Sequence, residues 1–151
     1  MTNHLNIKWD YRLEINKPIE SGTLLLSEPF MLDPSFIRST CLIVNHLKTE
    51  GTFGFVLDNK SKYKLNELIE IDEKYNFDVF SGGPVDSNAL FYLHNNNFNL
   101  KGAQKISENL YWNGDFDELL MKIEAGIVSK DDIKFIVCYS GWDGVQLRKE
   151  I

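Results

Sequence analysis

Cysteine is scarce in this sequence. Only Cys41 and Cys138 occur in 151 residues, too few to build a disulfide framework in a chain of this length. Neither belongs to a CxxC pair or has a histidine at zinc-ligand spacing, so no metal centre is expected. Both lie in apolar runs, Thr40-Cys41-Leu42-Ile43-Val44 and Phe135-Ile136-Val137-Cys138-Tyr139, and read as small core residues. No flanking cation is present to activate either thiol. Glycine (10) and proline (4) are also few, which excludes a collagen-like or linker-like chain. Long apolar runs are missing: none approaches the roughly 20 residues of a membrane helix. Met1–Asn6 shows neither a basic nor an apolar leader region. A cytoplasmic protein without membrane contact is the resulting expectation.

Positive charge is in deficit. Lys and Arg total 16 against 22 Asp and Glu, a net charge of −6. Phosphate contacts supply most of the affinity of a nucleic-acid-binding surface, so direct nucleic-acid binding is disfavoured. The densest basic stretch, Lys60, Lys62 and Lys64 around Tyr63, reads as a solvated loop.

What is present is the material of a core. Hydrophobic residues make up 43% of the chain, with ten Phe, six Tyr and three Trp, which excludes disorder. The length fits one domain over residues 1–151.

Residues 5–15 alternate apolar and polar without interruption (Leu5, Ile7, Trp9, Tyr11, Leu13, Ile15), the pattern of a strand or extended arm that would make 1–21 an N-terminal appendage. Gly22–Ser27 reads as a fully buried strand, and Asp33-Pro34-Ser35-Phe36 as one capped helical turn. Ser39–Leu47 and Phe53–Leu57, joined across Gly51, form a hairpin. Leu65, Leu68 and Ile69 have helical spacing. Phe77–Phe80, Ala89–Leu93, Leu110–Trp112 and Ile133–Tyr139 read as strands. Phe116, Leu119, Leu120, Ile123 and Ile127 mark the clearest amphipathic helix, with Asp115 and Asp117 in its first turn. A last helix starts at Gly144, carrying Leu147 and Ile151. Strands predominate over two or three helices, so the class is α+β.

Several groups carry potential chemistry. Gly82 and Gly83, in Ser81-Gly82-Gly83-Pro84 after a strand, are either a tight turn or a pair of bare amides for an anion, with Arg38 as its possible counter-ion. Arg38 alternatively pairs with Asp33. No P-loop or GxGxxG pattern is present, and no cofactor is expected. His46 and His94 near strand ends are either a proton-transfer pair or strand-end histidines bonded to backbone; no carboxylate stands at matching spacing, which favours the second reading. Ser140-Gly141-Trp142-Asp143-Gly144 reads as a strand-to-helix corner, with Trp142 buried against the helix of Leu119 and Ile123. Gln146 and Glu150 follow at i, i+4 spacing, and an exposed Trp142 beside them would instead be a partner surface. No GxSxG elbow, HExxH or carboxylate pair occurs, so the residues favour a non-enzymatic protein.

Four blocks in order carry a resemblance. They are Gly22-Thr-Leu-Leu-Leu-Ser-Glu-Pro29 with Leu32-Asp33-Pro34-Ser35-Phe36 and Arg38-Ser39; His46, Gly51 and Gly54-Phe55-Val56-Leu57-Asp58-Asn59-Lys60; Gly82-Gly83-Pro84-Val85 with Leu93-His94; and Gly141-Trp142 with Gln146-Leu147 and Glu150. Residues 22–151 thereby resemble the AlgH/YqgE family of small bacterial proteins. Ser61 stands where that family usually has Pro, and Asp143-Gly144-Val145 departs from its usual Gly-Pro-Gly. The family's further C-terminal, Trp-containing segment has no counterpart here. The resemblance implies a mixed, strongly curved β-sheet with a barrel-like core flanked by a few helices. It implies no established activity; some members are described as transcriptional regulators. No helix-turn-helix pattern is visible, so an effect on transcription is expected to run through a protein partner. The alternative is a small-ligand or phosphate-binding protein or enzyme with its site at the Gly82-Gly83 turn.

Overall fold

A computed structural model describes residues 20–26, 39–47 and 51–142, the side chains of residues 46, 47, 86 and 87 apart. Among the described residues the strands are β1 (Leu24–Leu26), β2 (Thr40–Leu47), β3 (Gly51–Val56), β4 (Lys60–Lys64), β5 (Asp78–Ser81), β6 (Val85–His94), β7 (Gln104–Ser107), β8 (Leu110–Trp112) and β9 (Ile133–Trp142). Two helices accompany them, α1 (Leu65–Leu68) and α2 (Phe116–Glu124). The main path of the sheet runs β1-β2-β3-β9-β6-β8-β7, with β5 joined to β9 and β4 to β5. The fold is α+β with a sheet curled into a half-barrel. Its two ends approach each other: a Cβ on Gly22, just before β1, would stand 3.4 Å from Cβ of Ser107 on β7.

β9 organises the molecule. Its first half lies between β6, antiparallel, and β5, parallel, and its last three residues pair antiparallel with β3. The change of partner occurs at Cys138, a non-glycine residue with φ of 63°. Such a residue in a strand marks a bulge, which shifts the side-chain alternation by one position. The packing shows that shift. Ile133, Phe135 and Val137 face one core, whereas Ile136 and then Tyr139, three residues on, face another.

Three apolar clusters result. Leu119 and Ile123 of α2 cover the outer face of the sheet together with Leu65, Phe77, Val79, Tyr92 and Phe135. The inner face holds Leu42, Val44, Phe55, Leu93, Ile106 and Ile136. Phe53 packs there with Phe55, Phe91, Trp112 and Tyr139, at ring-centroid separations of 5.0–5.7 Å. The third cluster is Cys41, Ile43 and Trp142 with Leu25.

α2 forms because its apolar stripe has helical spacing and its start is capped: the Asp115 carboxylate accepts from the Glu118 N–H at 3.1 Å. It ends at Glu124, short of the expected Ile127, which is exposed; Gly126 adopts φ of 74° and turns the chain away. β1 corrects the expectation of a fully buried strand. It is a short strand with Leu24 and Leu26 more than half exposed, and only Leu25 turns inward; among the described residues β1 pairs with β2 alone. The lysine stretch is also corrected, from loop to strand: Lys60 and Lys64 of β4 both pair with Asp78 of β5. β7 has no counterpart among the expected strands; its only buried residue is Ile106. The expected strand at 5–15, the helical turn at 33–36 and the helix from Gly144 lie outside the described residues.

Candidate functional site

Of the residues singled out by sequence, the structure describes Gly82, Gly83, His94, Gly141 and Trp142. Arg38, Gln146 and Glu150 lie outside the described residues, and of His46 only the backbone is described, opposite Thr52 in the β2–β3 ladder.

Gly82 and Gly83 sit against the β9 bulge. The Gly82 N–H donates to the Val137 carbonyl at 2.8 Å, and the Gly82 carbonyl accepts from the Val56 N–H at 2.8 Å and from the Ser140 hydroxyl at 3.1 Å. A Cβ on Gly83 would meet Ser140 Oγ and the Tyr139 carbonyl oxygen, each at 2.3 Å. Both glycines therefore permit close backbone approach. The Gly82 amide is spent on β9 and does not face an anion.

His94 ends β6 and is buried. Its Nε2 lies 2.8 Å from the Asn113 carbonyl, which only accepts, and its Nδ1 accepts from the Asn96 N–H at 3.1 Å. These partners fix the neutral tautomer with the proton on Nε2. Burial holds its pKa below the ordinary value, against the Asn113 bond. Tyr92 and Tyr111 stack on the ring, and Phe98 tilts against it. The reading of a strand-end histidine bonded to backbone describes this environment.

Gly141 and Trp142 belong to β9 and do not form the expected corner. Trp142 is buried, but against Cys41 and Ile43, not against α2. The bulge is the cause, since it sets the second half of β9 against β3 and the β1–β2 face. Cys41 is buried beside it; desolvation pushes its thiol up to about 12, with a Ser140 hydrogen bond opposing.

A cavity appears elsewhere, at the mouth of the half-barrel. It is an open groove of about 620 Å³. Its apolar wall includes Leu24, Leu42, Leu57, Leu93, Leu110 and Ile133, and its polar residues include His94, Asn95, Lys130, Asp132 and Lys134. Leu93 and Lys134 are direct cross-strand partners on β6 and β9. Asp132 is engaged by Asn95 Nδ2 at 3.2 Å and by the Ser129 N–H at 3.1 Å; the Ser129 bond leads in lowering its pKa. Lys130 donates to Asn76 Oδ1 at 2.9 Å. Lys134 donates to the Leu57 carbonyl at 2.7 Å and lies 4.0 Å from the Phe80 ring centroid, and burial lowers its pKa. Of the sequence candidates, His94 lines this mouth; Lys134 is not among them, and its signal is a cation within the otherwise apolar start of β9.

An AlgH-like family model matches residues 24–151. The chain belongs to the AlgH-like family. UPF0301 proteins of Bacteroides thetaiotaomicron and Bacteroides fragilis are 37% and 38% identical to it, each over 97% of this chain and 76% of the relative. Family members therefore extend beyond the aligned region. The solution structure of the AlgH protein from Pseudomonas aeruginosa superimposes with a TM-score of 0.70 at 25% identity, covering 89% of this chain and 74% of that one. A crystal structure from Corynebacterium diphtheriae, at 18% identity and a TM-score of 0.68 over 89% of this chain and 72% of that one, shares the fold. The family carries no established activity.

Proposed function

We propose that this protein acts by binding, without catalysis, and that the mouth of the half-barrel is its binding site. One observation carries the reading: an open groove of about 620 Å³ has a wall of five leucines and Ile133 beside eight polar or charged residues. Barrel mouths of this size and character are where ligands of modest size are held. The chemistry of His94 and of the Gly82 amide, by contrast, is used inside the fold. A fragment screen followed by amide chemical-shift mapping tests this. Perturbations clustered at Leu93, His94, Leu110 and Ile133 are expected. Hits clustered on Gly82 and Gly83 would move the site to that turn and restore the anion-binding alternative.

A second reading rests on β1. Leu24 and Leu26 are exposed on a strand that, among the described residues, pairs on one side only. An extended segment of a protein partner fits such an edge by strand addition. Any influence on transcription would run through this contact, consistent with the net charge of −6. Selection of binding peptides from a random library checks it. Alternating apolar sequences that lose binding to Leu24→Lys support strand addition; binders indifferent to Leu24→Lys refute it.

A further inference from the structure

Lys134 occupies a place where alternation calls for an apolar residue. On β9 it shares its face with Ile136 of the inner core, and it stands opposite Leu93. Its ammonium has three donors. One goes to the Leu57 carbonyl at 2.7 Å, and another side of the group lies over the Phe80 ring. Among the described residues no carboxylate oxygen is within 4.0 Å of it, although Lys60, Lys64 and Lys122 all have one. Of the other charges of the mouth, Asp131 is exposed and two are engaged. Asp132 is held by Asn95 and Ser129, and Lys130 reaches away to Asn76. A half-buried cation with no carboxylate in contact, on which Asp58 acts only from beyond ion-pair distance, stands on the leucine wall of the groove as an anchor for an anion that carries its own apolar body.

Resting on the reading of the mouth as the binding site, we infer that its ligand class is a small carboxylic acid with an aliphatic body, whose carboxylate meets Lys134 while the chain lies along Leu42, Leu57, Leu93 and Leu110. Neither half of that ligand suffices alone. A bare anion leaves the leucines in water, and a neutral aliphatic molecule leaves the ammonium unpaired.

Octanoate, 1-octanol and inorganic phosphate, each titrated into the full chain and followed by amide chemical shifts, separate the possibilities. Octanoate is expected to perturb Leu93, Leu110, Ile133 and Lys134 and to bind roughly tenfold tighter than octanol, the size of one charge-assisted hydrogen bond. Lys134→Met should abolish that preference and Lys134→Arg should keep it, with unchanged spectra elsewhere confirming that both variants fold. Equal binding of octanoate and octanol, unaffected by Lys134→Met, overturns the carboxylate assignment while leaving the mouth as the site. Phosphate binding as tightly as octanoate overturns the aliphatic part. Failure of both octanoate and octanol to move these amides removes the mouth reading itself.

Discussion

Gly82 lies so close to the bulge of β9 that a Cβ on it would stand 2.6 Å from the carbonyl oxygen of Cys138. The same atom would be 2.7 Å from Ile136 Cγ2 and 2.8 Å from Phe55 Cδ1. The glycine and the positive-φ cysteine are thus two halves of one device. The bulge turns β9 from β5 to β3, and the absent side chain lets the strand after β5 follow it. Gly82→Ala should destabilise by about 1–3 kcal/mol, as overpacking of a closed site does. Urea unfolding measures it; an unchanged midpoint would show that the contact relaxes freely.

Trp142 should behave as a core residue of the β1–β2 face. Trp142→Ala is expected to cost about 3–5 kcal/mol. Its neighbours distinguish this packing from one against α2. A double-mutant cycle with Ile43→Val should show coupling of about 0.5–3 kcal/mol, and one with Leu119→Ala should be near additive. Coupling to Leu119 in place of Ile43 would contradict the packing described.

His94 makes stability depend on pH. Its folded pKa is below the ordinary 6.5, because burial disfavours the charged ring. Protonating Nδ1 would also turn a new N–H toward the Asn96 N–H, which now donates to that nitrogen. Below the unfolded pKa the unfolded chain binds the proton more readily than the folded one. The contribution is therefore fully present above about pH 6.5 and is lost as pH falls through the folded pKa. Urea midpoints should drop between pH 7.5 and 5.5 in the wild type, and more weakly in His94→Gln. Equal slopes in the two proteins would remove this assignment.

Cys41 should be inert in the folded protein. With its thiol pushed up to about 12 by burial, almost no thiolate is present near pH 8. In a Cys138→Ala variant, a thiol reagent should label the protein only after urea is added. Rapid labelling of the native variant would show that Cys41 is open to solvent.

Alternation and helical spacing by themselves determined most strands and the α2 stripe of Leu119 and Ile123, and four ordered motif blocks carried the family resemblance, since period and motif are local properties of the chain. β4 and β7 stayed illegible because edge strands bury little: Lys60–Lys64 has no buried residue and Gln104–Ser107 only Ile106. The candidate site beyond His94 was illegible for a different reason. Its wall is assembled from β1, β2, β6, β8 and β9, which are distant in sequence, and no spacing rule links Leu24, Leu110 and Lys134. His94 was read as a strand-end histidine from sequence, but its neutral tautomer depends on Asn96 and Asn113 arriving from two loops. Tertiary structure alone decided the direction of Trp142. A single positive φ at Cys138 reverses the alternation of everything after it, and nothing in Phe-Ile-Val-Cys-Tyr announces a bulge. Whether such a strained residue persists depends on the strands packed around it, here β3, β5 and β6, and not on the residue itself.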